Sequence, residues 1–154
     1  MKKFLVLNGP NLNLLGTREP DTYGSKSMKD IVKELNQFEK KEDVKVDWFQ
    51  SNHEGYMIDR IHDSAREDLC GLVINPGAWG HQSIALRDAL LCVNLSFVEV
   101  HISNIYKREL FRQKTLLADL AVAVISGCGS IGYQFAIQTL LKKNMDDNKW
   151  ILEK

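Results

Sequence analysis

"GLVINPGAWGHQS", residues 71–83, carries the strongest strand signal in the chain. Its first five positions form an unbroken apolar run of strand length, and Asn75-Pro76-Gly77 ends that run abruptly. Four other runs share its character: "FLVLN" (4–8), "VKVDWFQ" (44–50), "FVEVH" (97–101) and "AVAVIS" (121–126). Helical periodicities fall between them. Met28, Ile31, Val32, Leu35 and Phe38 follow i, i+3, i+4, i+7 spacing, and Ser27 with Asp30 gives a capping start. Ile58, Ile61 and Ala65 mark a second helix and Ile84 to Leu91 a third. The last runs from Tyr133 to Lys143, with Ala136, Ile137, Leu140 and Leu141 on one face. The stretch after the fourth run, "ISNIYKRELFRQKTLLADL", reads as a longer loop with a short helix, and "REPDTYG" (18–24) as neither helix nor strand. "DDNKWILEK" (146–154) is a charged tail with a few apolar anchors.

Strand–helix alternation at this spacing means a parallel sheet with helices on both faces. Five strands in 154 residues predict one α/β domain over 1–154, doubly wound and flavodoxin-like, with strand order 2-1-3-4-5.

Composition excludes several classes. The chain is 44% apolar and 26% charged with zero formal net charge, so it offers no general nucleic-acid or membrane-binding surface. No apolar run approaches a bilayer-spanning length. The apolar part of "MKKFLVLNG" is too short for a secretory signal, which points to a cytoplasmic protein. Cys70, Cys92 and Cys128 are odd in number and contain no C-x-x-C, so they read as small buried hydrophobes and not as disulfide partners or zinc ligands.

In open α/β sheets the site lies beyond the carboxyl ends of the strands. Here those ends carry "NGPNLNLLGTREPDTYG", "SNHEG", "NPGAWGHQS", "HISN" and "GCGSIG". Asn, His and Ser beside Gly or Pro put hydrogen-bonding groups on tight backbone, which suits a small polar ligand; His81 and His101 are among them. Gly127, Gly129 and Gly132 match G-x-G-x-x-G, but this motif follows the last strand, whereas a dinucleotide fingerprint follows the first. Close packing at a strand–helix turn explains these glycines better. There is no G-x-x-x-x-G-K-[ST] and no H-E-x-x-H, and Ser130 has Cys128 where a nucleophile elbow needs Gly. No local ligand cluster marks a metal site, so the chemistry falls to side chains alone. His62 and Asp63 read as a solvated helix face; His53, Asn8 and Asn13 stay structural or undecided.

Taken together, "LNGPNLNLLGTREPDTYG", "FQSNHEG", "INPGAWGHQSIALRDAL", "VEVHISN" with "FR", and "GCGSIGY" resemble type II 3-dehydroquinate dehydratases, in order, from residue 7 to residue 133. The resemblance implies reversible dehydration of 3-dehydroquinate to 3-dehydroshikimate, a shikimate-pathway step toward aromatic amino acids, with no metal, organic cofactor or Schiff base. It implies Tyr23 as the base beside the ketone, with Arg18 near it. It makes His101 the general acid, Glu99 its orienting carboxylate, and Asn11 the holder of a water beside the enolate. Asn75, His81 and Arg112 would hold substrate hydroxyls. Ile102 and Ser103 would hold the carboxylate through backbone N–H groups and the Ser hydroxyl. Asp88 would arrive from a neighbouring subunit, within a homo-oligomer of trimers, usually a dodecamer.

The chemistry needs such residues. Removing a proton beside a ketone and expelling a hydroxyl takes a base, an enolate stabiliser and an acid. An unperturbed tyrosine, with a pKa of ~10, is a weak base at neutral pH, and a nearby guanidinium favours the phenolate. Alternation along the fourth strand puts Glu99 and His101 on one side. Pro20 between Gly16 and Gly24 suits a partly stiff loop able to close as a lid. The sequence also departs from the family pattern. "PGAWGH" stands where "PAAYTH" is usual, so Trp79 and Gly80 bear on the loop holding His81. "IYKRELFRQKT" leaves both Arg108 and Arg112 placed to face the substrate. Two rival readings remain: a flavodoxin-like nucleotide- or flavin-binding module, and an inactive homologue serving as scaffold.

Overall fold

The computed structural model describes residues 1–17 and 19–145. Strands β1 (Lys2–Asn8), β2 (Val44–Gln50), β3 (Gly71–Asn75), β4 (Phe97–His101) and β5 (Ala123–Ser126) form one parallel sheet in the order β2-β1-β3-β4-β5. This is the flavodoxin-like order the sequence predicts. Helices are α1 (Pro20–Tyr23), α2 (Met28–Glu42), α3 (Glu54–Ser64), α4 (Ile84–Val93) and α5 (Ile131–Met145).

Successive strand side chains point to opposite faces, and each face has its own core. Phe4, Val6, Val73, Val98 and Val100 pack with Ile31, Leu35 and Phe38 of α2 and with Ala136, Ile137 and Leu140 of α5. Leu5, Leu7, Leu72, Ile74 and Phe97 pack with Met57 and Ile61 of α3 and with Leu86 and Leu90 of α4. Burial on both faces is why the central strands read as unbroken apolar runs. The alternation also fixes where the polar strand ends point. Asn8 and Asn75 follow Val6 and Val73 toward α5, while Glu99 and His101 follow Phe97 toward the other face.

Several local expectations need correction. "REPDTYG" contains one helical turn, α1, closed by Thr22 and Tyr23 N–H groups on the Glu19 carbonyl. Pro20 begins it, at a position where a missing N–H costs nothing. Strand β1 starts two residues earlier than its apolar run, because Lys2 and Lys3 pair with Val44 and Lys45. Strand β5 starts two residues later than its run, at Ala123. Helix α3 ends at Ser64, which takes the buried position instead of Ala65 and donates its hydroxyl to the Ile61 carbonyl at 2.5 Å. The segment after β4 holds two 3-10 turns, Ile105–Lys107 and Leu110–Arg112, in place of one short helix. Cys92 and Cys128 are exposed and Cys70 half-buried, because Cys92 lies on the outer side of α4 and Cys128 in the turn after β5. The predicted capping box is present: Ser27 Oγ accepts from Asp30 N, and the Asp30 carboxylate accepts from Ser27 N.

Among the described residues, no helix is long and apolar enough to cross a membrane. The charged tail lies outside the described residues.

Candidate active site

A cavity of about 160 Å³ opens at the carboxyl edge of the sheet, around the β1, β3 and β4 ends. Tyr23, Asn11, Asn75, His81, His101, Ile102, Ser103, Arg108 and Arg112 all border it. Arg18 lies outside the described residues. Asp88 is exposed on α4 and does not border the cavity. Glu99 stands directly behind His101.

Close backbone packing builds the floor. Gly9 N–H donates to the Asn75 carbonyl at 2.8 Å, and a Cβ on Gly9 would collide with the Pro76 carbonyl. The chain then turns through Asn11 at φ 67°, a left-handed conformation that asparagine tolerates. Asn52 Oδ1 accepts from Asn11 N at 2.9 Å and from Gln50 Nε2 at 3.1 Å. The β2 end thus holds the β1 loop in place, a role for Asn52 that its sequence position alone does not reveal.

His101 and Glu99 form a buried pair. Glu99 is 0% exposed and His101 6%. His101 Nε2 lies 2.6 Å from Glu99 Oε1, and Thr115 Oγ1 donates to Glu99 Oε2 at 2.8 Å. The Thr115 hydroxyl in turn accepts from Leu117 N and Ala118 N, which fixes its proton toward the carboxylate. With Nε2 committed to Glu99, Nδ1 is the His101 ring atom left to exchange a proton with a ligand. Thr115 is a supporting residue that sequence reasoning missed; a threonine in a long loop carries no signal of its partner.

His81 stacks on His101, with ring centroids 5.8 Å apart and planes 25° apart. Its Nδ1 lies 2.7 Å from the Lys114 carbonyl, which can only accept, so Nδ1 carries a proton. Burial pushes this imidazole below its ordinary value, and the His101 and Arg112 charges act the same way against the Lys114 hydrogen bond and Glu99. The neutral ring therefore offers Nε2 as an acceptor. The Trp79–Gly80 departure leaves His81 at the cavity. Trp79 packs into the core beside Leu86 and Leu90, and Gly80, having no Cβ, fits against Pro76, where a Cβ would lie 2.7 Å from Cγ.

Arg108 and Arg112 take different partners. Arg108 Nη1 donates to Tyr23 Oη at 2.7 Å, and the guanidinium carbon lies 5.5 Å from that ring's centroid. Arg112 Nε donates to Glu109 at 2.8 Å while still bordering the cavity. Both arginines face the site, and it is Arg108 that meets the tyrosine.

The glycine motif after β5 is occupied otherwise. Gly127 N–H donates to the His101 carbonyl at 3.1 Å and Gly129 N–H to the Ile102 carbonyl at 3.0 Å. Donors that would cradle a phosphate are spent on holding the β4 end. Among the described residues, no group of three or more His, Cys, Asp and Glu side chains is arranged to hold a metal ion.

The family model for class II dehydroquinases matches residues 2–141. The 3-dehydroquinate dehydratase of Alkalilimnicola ehrlichii is 53% identical over 143 residues, covering 93% of this chain and 94% of its own. The catabolic 3-dehydroquinase of Talaromyces marneffei is 51% identical over 147 residues, covering 96% of this chain and 83% of its own. The crystal structure of a type II dehydroquinase from Butyrivibrio crossotus superposes with a TM-score of 0.88 at 43% identity, covering 91% of this chain and 97% of its own.

Proposed function

The chain belongs to the class II dehydroquinase family, and we propose that it dehydrates 3-dehydroquinate to 3-dehydroshikimate through an enolate, with Tyr23 as base and His101 as acid. The observation that carries this reading is the convergence, in one cavity, of an arginine-bonded tyrosine and a glutamate-bonded histidine. Tyr23 as phenolate removes the proton beside the ketone. The Arg108 guanidinium, already donating to that oxygen, balances the charge the phenolate carries. Arg18, from the same loop, would add a second cation, and loop closure would exclude water.

The enolate then expels the hydroxyl, which leaves with a proton from His101 Nδ1. Glu99 accepts the Nε2 hydrogen bond throughout and holds the ring in the orientation needed for donation. A water on Asn11 stabilises the enolate oxygen. Asn75, His81 and Arg112 take the substrate hydroxyls, with His81 accepting through Nε2. Ile102, Ser103 and the Ser103 hydroxyl take the carboxylate. No metal or organic cofactor enters any step. The biosynthetic setting would be the shikimate pathway, in the cytoplasm.

Assembly into trimers, and trimers into a dodecamer, would bring Asp88 to a neighbour's site. Supporting this, Ile84 (66% exposed) and Leu91 (55% exposed) flank Asp88 on one stripe of α4, an apolar pair that a second copy would cover.

The test is the ultraviolet absorbance of the conjugated enone formed when purified protein meets 3-dehydroquinate. Steady growth of that signal is expected. A folded protein giving no signal would overturn the reading in favour of an inactive scaffold.

A further inference from the structure

We propose that Tyr133 is a positioning residue: with Asn8 it fixes the Asn75 carboxamide so that one Asn75 N–H is presented to the substrate. The inference rests on the reading of Asn75 as a substrate-binding residue. It begins from a contact that runs across the sheet end.

Asn8 and Asn75 are direct partners in the β1–β3 ladder and point to the same face. Tyr133, in the first turn of α5 and 0% exposed, puts its hydroxyl between them. Asn75 Nδ2 lies 2.9 Å from Tyr133 Oη, and Tyr133 Oη lies 2.6 Å from Asn8 Oδ1.

The direction of this chain follows from one fixed donor. A backbone N–H can only donate, and Gly77 N lies 3.3 Å from Asn75 Oδ1. The carboxamide oxygen must therefore face Gly77, which turns the NH2 group toward Tyr133. The phenol oxygen accepts there, so its single proton goes to Asn8. Asn8 must then present oxygen to Tyr133, which leaves its Nδ2 facing the Met28 sulfur at 3.8 Å. Every orientation is consistent with the one before it, and none can be reversed alone. Burial pushes the Tyr133 phenol well above its ordinary range, so the proton the chain needs is retained.

One Asn75 N–H remains, and Asn75 borders the cavity. A substrate group that takes this N–H must supply a lone pair. Without the Tyr133 hydroxyl, Asn75 loses the partner that holds its NH2 in place, and binding pays the cost of ordering it.

The test is a double-mutant cycle on 3-dehydroquinate turnover. Tyr133→Phe should raise KM about tenfold while kcat changes no more than about threefold. Asn75→Ala should raise KM more. The double variant should be no worse than Asn75→Ala alone, because Tyr133 acts through Asn75. A purely structural role for Tyr133 would instead make the two KM effects multiply. An unchanged KM in Tyr133→Phe, a multiplying double variant, or a silent Asn75→Ala each overturns the proposal. Should Tyr133→Phe not fold, Asn8→Leu removes the acceptor at the other end and must give the same KM rise and the same lack of multiplication. Absence of turnover in the wild-type protein would overturn the dehydratase reading itself, and this proposal with it.

Discussion

The Arg108 guanidinium touches Tyr23 twice, donating to its hydroxyl oxygen at 2.7 Å and lying 5.5 Å from its ring centroid. The two residues are 85 positions apart, one in α1 and one in the loop after β4. A hydrogen bond from a charged donor is worth about 1.5–3 kcal/mol, or roughly ten- to a hundredfold in rate if realised in the transition state. Arg108→Ala should therefore lower kcat by roughly that factor. Arg108→Lys should recover little, because an ammonium cannot reproduce the planar contact. Arg112→Ala should act mainly on KM. Steady-state kinetics on the three variants checks this; a kcat loss confined to Arg112→Ala would reverse the assignment.

Glu99 gives a second prediction. Its two oxygens face His101 and Thr115 in a fully buried setting. Glu99→Gln keeps the shape but replaces the charged acceptor that orients the His101 ring, so kcat should fall by about a hundredfold or more. Thr115→Val removes one hydrogen bond to that carboxylate and should cost about tenfold in kcat with KM little changed. Equal effects on KM and kcat would instead point to a general loosening of the site.

The depressed His81 sets a pH dependence of stability. Between its folded value and the ordinary ~6.5, the unfolded chain binds a proton that the folded chain does not. This contribution is present in full above about 6.5 and is lost as pH falls through the folded value. Urea unfolding near pH 7.5 and near pH 5.5 should show a larger fall in midpoint for the wild type than for His81→Gln. Equal falls would mean His81 does not titrate as its surroundings indicate.

Assembly is testable at α4. Replacing Ile84 and Leu91 by Asp puts two charges on the stripe that a second copy would cover. Light scattering should show a large oligomer for the wild type and a smaller species for the double variant. An unchanged mass would place the interface elsewhere.

Much of this was legible in the sequence, and the reasons differ by element. Strands β3 and β4 begin and end where their apolar runs do, because burial on both faces demands unbroken runs. Alternation within β4 sufficed to put Glu99 beside His101. The Arg108–Tyr23 contact was not legible: the sequence offered Arg18 as the cation near Tyr23 and Arg108 or Arg112 only as facing the substrate, and the two 3-10 turns that separate those two carry no strong periodicity. Tyr133 was not legible as anything but core. On its helix it sits among Ala136, Ile137 and Leu140, and the meaning of its hydroxyl depends on Asn8 and Asn75, 125 and 58 positions away. Short patterns report what a residue is buried against; they do not report which distant polar atom its one hydrogen bond will reach.

If Tyr23 is the base, Tyr23→Phe should lose turnover and keep binding. Turnover of 3-dehydroquinate, followed by enone absorbance, should fall by about a thousandfold or more, within or beyond the range a general base supplies. Substrate affinity by calorimetry should stay within about threefold of wild type. Turnover within about tenfold of wild type, with binding intact, would give the base to another group in the cavity.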